Sequence, residues 1–311
     1  VPTEDGDLRA FYTDVANAES VTVMVYMIGS DLESEDGSAT DDLLEMADAA
    51  LSENVHLVLQ TGGTETWWND VCTDDESERF VIENGDMTLL QSLGGMNMTD
   101  ADTPAESYPA DRYELILWDH GGGTMTGFGY DELYEDTSLT LSSLSTALYN
   151  GGVQFDFIGF DACLMATAEV AYALDPYADY LIASEESEPG EGWAYKNWLT
   201  MLAEDPAVPT AELGKKLADD FLEAYIFADM PTLSVLDLRY VPELYAALES
   251  YWGSAYTALQ SGSYGAFSQV RSNVREFGDN EYDQVDLSAL ATLTKQSLSL
   301  GTEDDVQAAV Q

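Results

Sequence analysis

Two short, mostly apolar runs constrain the fold of this chain more than any other feature. Residues 113–118 (YELILW) and 155–160 (FDFIGF) lack the strict alternation of a half-exposed strand. Such runs are typical of parallel strands that are buried on both faces of a sheet. Parallel neighbours need a long crossover, and residues 121–154 are long enough to supply one. The two runs therefore predict adjacent strands of an α/β sheet.

The rest of the chain repeats this alternation of apolar runs and helical patterns, which is typical of a sheet covered on both faces. Further strands are predicted at residues 21–28, 56–60, 180–184 and 232–238, and helices at 40–51, 140–148, 166–174 and 211–228. Residues 79–82 and 87–90 flank an Asn84-Gly85 turn and predict an accessory β-hairpin. The expected fold class is α/β, with an open, mostly parallel sheet flanked by helices.

Helical patterns dominate from Pro242 onward. We therefore predict an N-terminal segment (1–20), a sheet domain (21–240) and a C-terminal helical extension packed on the core (241–311). The chain has 311 residues, of which 45% are apolar. A chain of this length and composition buries a substantial core.

The charge of the chain is strongly acidic. Ten Lys and Arg residues stand against 59 Asp and Glu, a formal net charge of -49. Such a surface repels phosphate backbones and anionic lipid heads and attracts cationic peptides. We expect no nucleic-acid partner. The acidity either keeps the protein in solution or steers a cationic substrate.

Other gross features bear on location and assembly. No apolar run approaches the roughly 20 residues that cross a bilayer, so no transmembrane segment is expected. The first residue is Val1 rather than Met, which favours a mature chain of a secreted or cell-surface, bacterial-type protein. Two cysteines do not make a disulfide framework. No segment has the pattern of a coiled coil or of an edge strand that pairs with a second copy, so a monomer is expected.

A histidine and a cysteine follow the two central runs. His120 precedes Gly121, and Cys163 comes shortly after the second run. Because groups at the carboxyl ends of adjacent parallel strands meet in one crevice, an imidazole is expected beside a thiol. His120 would act as general base towards a Cys163 nucleophile, and the backbone N–H groups of Gly121 and Cys163 would form an oxyanion hole. The predicted helix after Cys163 would also favour its thiolate.

Alternatives to this pair deserve comparison. A lone Cys or His is more often structural, but their joint placement at two strand ends favours catalysis. A His-Gly-Gly-Gly run also occurs in lipases, but those enzymes need a nucleophile elbow followed by an acid and then a histidine. Both histidines of this chain, His56 and His120, precede Cys163, which also excludes the papain order. His56 is interpreted as structural.

Four segments of this sequence resemble the clostripain family of cysteine endopeptidases, which have a caspase-like fold. The matching segments are residues 26–33, 113–121, 157–165 and 183–186. The resemblance implies a His120–Cys163 dyad, assistance by Gly121 in the oxyanion hole, and peptide or protein substrates that are cleaved after Arg or Lys. The alternative is a catalytically silent relative that serves as a binding or scaffold protein.

Specificity for a basic residue has some support from Asp161. It lies two residues before Cys163 and so projects to the same side if the chain is still extended there. A desolvated carboxylate in a pocket rewards a guanidinium or ammonium group. The alternative role for Asp161 is to cap the helix after Cys163. Glu188 and Glu191 are candidates for a second pocket acid, or else belong to a solvated loop.

Asp119 adjoins His120, but neighbouring strand residues point to opposite faces. We therefore expect backbone carbonyls, rather than Asp119, to orient the ring.

No cofactor is predicted. The resemblance would allow calcium, on which clostripain depends. However, the acidic run before Gly37, from Asp31 to Asp36, departs from the spacing of a calcium-binding loop. The residues themselves therefore predict no metal.

The resemblance also implies maturation by cleavage at a basic residue. No Lys or Arg lies between His120 and Cys163. We expect the chain to act unsplit, or to be processed elsewhere, for example near Arg9, Arg79 or Arg112.

Overall fold

The computed structural model describes residues 18–99, 108–134, 138–226, 231–278 and 282–311. Arg9 and most of the predicted N-terminal segment lie outside these residues. Within them, no helix is both long enough and apolar enough to span a bilayer.

The described chain contains an eight-stranded sheet in the order β4-β3-β2-β1-β5-β6-β7-β8. Its strands are β1 Val21–Ile28, β2 Val55–Gly62, β3 Ser77–Glu83, β4 Asp86–Gly94, β5 Arg112–Trp118, β6 Phe155–Asp161, β7 Ala178–Ala183 and β8 Ser234–Asp237. Strands β1, β2, β5, β6 and β7 pair in parallel. Strands β3 and β4 form an antiparallel hairpin at one edge. The mostly parallel sheet and its edge hairpin are thus confirmed.

Seven helices accompany this sheet in the described residues. They are α1 Ser30–Ser34, α2 Ser38–Asp48, α3 Gly123–Thr126, α4 Leu141–Gly151, α5 Ala168–Leu174, α6 Tyr195–Glu204 and α7 Thr210–Ala224. Helices α2, α6 and α7 share one apolar core with the strands, and α4 and α5 pack together with their apolar side chains buried. Burial of each large aliphatic side chain stabilises the folded state by about 1.5–3 kcal/mol. This gain favours the apolar runs as central strands, where helices cover the sheet.

Two compact units divide the chain, residues Val1–Leu236 and Asp237–Gln311. The second contains helices α8 Val241–Gln260, α9 Tyr264–Arg271, α10 Leu287–Ser297 and α11 Glu303–Val310, with short strands β9 Glu276–Phe277 and β10 Gln284–Val285. Its own core includes Tyr251, whose hydroxyl lies 2.8 Å from that of Thr294. The three-part division of the sequence stays a prediction.

A buried arginine fastens the middle of the sheet. The guanidinium of Arg112 in β5 forms an ion pair with Asp156 in β6. It also donates to the carbonyls of Pro206 and Val208, at 2.7 and 3.0 Å, and to the hydroxyl of Thr210 at 3.2 Å. One cation therefore joins two strands to the connection between α6 and α7.

This position corrects one processing site suggested by the sequence. Arg112 is fully buried in the folded chain, so a peptidase cannot reach it. Arg79 lies within β3, paired on both sides, and its Nε donates to Gln60 at 2.9 Å. Neither arginine offers the exposed, extended segment that a peptidase requires.

Replacing Arg112 by Ala should lower the free energy of unfolding by about 3–5 kcal/mol, because it leaves the Asp156 carboxylate buried without its cation. Urea unfolding followed by circular dichroism measures this loss. Lys215→Ala is the matched control, because this exposed lysine only pairs with Asp219 along a helix, and it should change stability by at most about 0.5 kcal/mol. A loss below about 1 kcal/mol for Arg112→Ala would contradict the proposed fastening role.

Candidate active site

Three strand ends meet at one edge of the sheet. Met27 of β1 is in register with Trp118 of β5, and Trp118 is in register with Asp161 of β6. The N–H of Asp119 donates to the Asp161 carbonyl at 3.2 Å and extends this pairing by one residue. The residues that follow β1, β5 and β6 therefore emerge side by side.

Gly121 lies directly against the turn that contains Cys163. A Cβ atom added to Gly121 would lie 2.0 Å from the Cys163 carbonyl oxygen and 3.1 Å from the Cys163 nitrogen. No side chain fits in that space. The structure thus brings together the loop that follows His120 and the turn that contains Cys163, the two segments paired by the sequence.

The turn around Cys163 is not the start of a helix, which corrects one prediction. Helix α5 begins at Ala168, with Thr167 as its cap. Leu164 has a left-handed φ of 66°, and its N–H donates to the Glu186 carbonyl at 3.0 Å. These contacts hold the chain against the segment after β7 instead of coiling it. Because a helix dipole acts only within the first turn, it does not reach the sulfur.

The Cys163 sulfur is partly buried beside Glu188. Its Sγ accepts the Glu188 N–H at 3.2 Å and lies 3.7 Å from the Glu188 carbonyl oxygen. Burial raises the pKa of the thiol, although the Glu188 N–H opposes this shift. Burial therefore favours the thiol over the thiolate, and a group in this state becomes a nucleophile only when a base takes its proton.

The His120 ring is bound by a carboxylate that the sequence analysis missed. Its Nε2 lies 2.6 Å from Oδ1 of Asp31, in the first turn of α1, and the side chains are 43% and 46% exposed. Burial raises the pKa of Asp31, but the hydrogen bond and the charge of His120 outweigh it, and the net pKa is lowered. The strand order could have revealed this contact, because Asp31 follows β1 and His120 follows β5, and these two strands are neighbours in the sheet.

Asp119 does not contact the ring as a third catalytic group. Its buried carboxylate accepts the Ser30 hydroxyl at 2.7 Å and the Tyr130 N–H. Burial raises the pKa of Asp119 to about 7. Its hydrogen bonds join the loops after β1 and β5.

Asp161 is buried and bound by donors from the segment before α6 and from α6 itself. It accepts the Trp193 N–H at 2.9 Å and the Tyr195 hydroxyl at 2.7 Å. These partners exclude the alternative that Asp161 caps a helix after Cys163. Burial raises the pKa of Asp161 to about 7.

Glu188 lies against Asp161. Its Oε2 accepts the Trp193 indole N–H at 3.1 Å, and its Oε1 is buried with no hydrogen-bond partner in the described chain. Burial and the charge of Asp161 raise the pKa of Glu188 well above its ordinary value. The two carboxyl groups are therefore harder to ionise together than two exposed acids.

A third acid, Asp42 of α2, completes this cluster and was missed by the sequence analysis. Its Oδ2 accepts the Trp118 indole N–H at 2.6 Å. A Cβ atom added to Gly192 would lie 2.7 Å from Asp42 Oδ2 and 2.9 Å from Asp161 Oδ2, so both carboxyl groups face one point. In sequence, Asp42 looks like an ordinary acid in the first turns of a helix.

Glu191 is exposed, unlike the three acids of this cluster, although it shares a cleft with one of them, Asp42. This open cleft has a volume of about 770 Å³ and is also lined by Asp41, Glu45, Asp48 and Lys196 among the charged residues. Neither Cys163 nor His120 lines that cleft. The position of Glu191 fits the solvated loop better than a pocket beside the sulfur.

The acidic run after β1 does not fit a calcium site. Asp31 binds His120, and Glu33 is buried, where it accepts the N–H groups of Thr40 and Trp68 at 2.8 and 2.7 Å. Across the described ranges, no group of three or more His, Cys, Asp or Glu side chains is arranged to hold a metal ion.

Two solved structures share this architecture. A secreted C11 cysteine protease from Bacteroides thetaiotaomicron, in complex with an irreversible peptide inhibitor, superimposes with a TM-score of 0.69 at 20% identity and covers 93% of this chain and 82% of that chain. An inactive zymogen C11 protease from Parabacteroides distasonis gives 0.67 at 21% identity, with coverage of 93% and 80%. These similarities confirm the predicted caspase-like fold.

Sequence comparison is consistent with these structures. Clostripain from Hathewaya histolytica is 35% identical over 136 residues, which cover 38% of this chain and 24% of that protein. The match thus spans about a quarter of the clostripain's length. A model of the clostripain family, peptidase C11, matches residues 25–310. This chain belongs to the clostripain family.

Proposed function

We propose that this protein is a cysteine endopeptidase in which Cys163 is the nucleophile and His120 the general base. The observation that carries the proposal is the contact of Gly121 with the Cys163 backbone. This contact supports a single site at the edge of the sheet, where a peptide carbonyl would reach both the Cys163 sulfur and the His120 ring. Family membership supports the same reaction class.

In this mechanism, His120 accepts the proton of the Cys163 thiol as substrate arrives, since burial disfavours a resting thiolate. The sulfur then attacks the scissile carbonyl, and the carbonyl oxygen becomes an oxyanion. The imidazolium of His120 returns its proton to the leaving amine, which departs and leaves an acyl-enzyme. Water, deprotonated by His120, attacks the thioester and releases the acid product and the thiol.

The oxyanion is proposed to accept hydrogen bonds from the backbone N–H groups of Gly121 and Cys163. The pairing of residues 120–122 with 127–129 uses the N–H groups of Gly122 and Gly129, which donate to Gly127 and His120 at 2.9 Å each. This pairing leaves the Gly121 N–H to the substrate. The close approach of Gly121 to Cys163 supports one shared site for both donors.

The residue before the scissile bond is proposed to be Arg or Lys. Three carboxyl groups, from Asp42, Asp161 and Glu188, cluster beside the cysteine turn. The backbone N–H of Glu188 contacts the sulfur itself. A guanidinium or ammonium group that entered this cluster would stabilise the ionised form of its carboxyl groups, whose pKa burial now raises.

Secretion and a monomeric state stay predictions for this chain. The Bacteroides thetaiotaomicron relative is a secreted protease, which supports the same location here.

Hydrolysis of fluorogenic Arg or Lys peptides should depend on Cys163. Cys163→Ala should lower kcat/KM by at least about 10³-fold, because it removes the nucleophile. Cys72→Ala is the matched control, since burial raises the pKa of that thiol to about 12 and it should retain activity. No turnover of basic or neutral peptides by the wild-type protein would instead favour a binding or scaffold protein.

Gly121→Ala should strongly slow hydrolysis, because the added methyl group collides with the Cys163 carbonyl and separates the two loops. We expect a fall in kcat of about 10²-fold or more, as for the loss of one oxyanion donor. Gly253→Ala in α8 is the control, because nothing lies within 4 Å of its added Cβ. Full activity in Gly121→Ala would show that the two loops are not in contact.

The preference for basic substrates should rise with pH. Protonated Asp161 is neutral, so the ratio of kcat/KM for an Arg peptide to that for its norleucine analogue should increase as pH passes through about 7. The ratio cancels the pH dependence of the catalytic pair. In Asp161→Asn the ratio should be flat with pH and lower by about 10- to 100-fold, as for a lost hydrogen bond to a charged group. A preference unaffected by this substitution would remove Asp161 from the specificity pocket.

A further inference from the structure

Asp31, which follows strand β1, is hydrogen-bonded to the ring of His120, which follows strand β5. Its Oδ1 lies 2.6 Å from Nε2 of His120, although the two residues are 89 positions apart in sequence. Asp31 also belongs to the acidic run from Asp31 to Asp36, which does not fit a calcium site and has no other assigned role. Two further titratable residues belong to the segments packed here: Asp119, whose carboxylate interacts electrostatically with His120, and Cys163, whose backbone lies against Gly121.

The backbone around Asp31 is fixed. The N–H groups of Gly29 and Ser30 donate to the carbonyls of Gly62 and Gly63 at 2.8 and 3.1 Å. Ser30 adopts a left-handed φ of 48°, and its hydroxyl donates to Asp119 Oδ1 at 2.7 Å. The residue before Asp31 is therefore hydrogen-bonded to the residue before His120, which brings the two backbones together at the sheet edge.

We propose that Asp31 is a positioning residue that holds the His120 ring and stabilises its protonated form, so that the site is an Asp31–His120–Cys163 triad rather than a dyad. This inference rests on the proposed peptidase function. When the thiol of Cys163 transfers its proton to His120, the Asp31 carboxylate faces the new positive charge. Because both side chains are nearly half exposed, water screens the pair, and its effect on the rate is modest.

The test compares Asp31→Asn and Asp31→Ala with Asp36→Asn, which removes an exposed charge from the same acidic run. We expect kcat on an Arg peptide to fall about 10-fold in both Asp31 variants, with KM little changed. This loss is a part of the roughly 10²- to 10⁴-fold that a positioned base contributes. Asp36→Asn should match the wild type.

The pH profile separates positioning from a purely structural effect. His120 must be unprotonated to act as a general base, so its protonation limits kcat/KM at low pH. Without the carboxylate, the protonated ring is less stable, so this low-pH limb should move down by about one pH unit in Asp31→Asn. A structural role would lower the rate without moving that limb. Unchanged kcat and pH profile in both variants would make the contact an incidental surface ion pair, and increased activity would make it a restraint on the histidine.

A second measurement does not depend on peptide turnover. Alkylation of Cys163 by iodoacetamide, followed by mass spectrometry, should be about 10-fold slower at neutral pH in Asp31→Asn, because less thiolate forms when the imidazolium loses its partner. Buried Cys72 is an internal reference. Absence of peptide turnover in the wild type would contradict the proposed function, whereas equal alkylation rates in wild type and Asp31→Asn would contradict the role of Asp31.

Discussion

The buried carboxylate of Asp119 is the interaction on which the arrangement of the site depends. It accepts hydrogen bonds from Ser30 after β1 and from Tyr130 after β5, and its own N–H binds the Asp161 carbonyl at the end of β6. One residue thus ties together three loops that are far apart in sequence. Because an unpaired buried acid is costly, the loops cannot separate without exposing or orphaning this group. That constraint keeps His120 and Cys163 at a common edge.

The buried acids around the site are partly protonated near neutral pH, because burial raises their pKa. Burial raises the pKa of Asp119 and Asp161 to about 7, and burial together with the charge of Asp161 raises the pKa of Glu188 well above its ordinary value. Indole and tyrosine donors satisfy the remaining oxygens. The interior cluster therefore carries less charge near neutral pH than its composition suggests. The large surface charge of the chain and the buried acids of this cluster are physically distinct features.

Sequence patterns predicted the sheet well because its strands are buried on both faces, so that their apolar runs are long and unbroken. The position of Cys163 was only half predicted. Its strand is confirmed, but the left-handed Leu164 and its contact with Glu186 are tertiary effects that no local propensity records. Asp31 and Asp42 were missed for a similar reason. Both look like acids in the first turns of helices, and only the strand order brings them to His120 and Asp161.

The buried Arg112 has a consequence for a nicked form of the protein. It lies in β5, and its ion-pair partner Asp156 lies in β6, so the cation bridges the two strands on either side of the crossover. These strands are also hydrogen-bonded neighbours along most of their length. If an outside protease severed the crossover, the two fragments would stay associated without a covalent link. Integrity of the backbone between the histidine and the cysteine is therefore not required to hold them in one molecule.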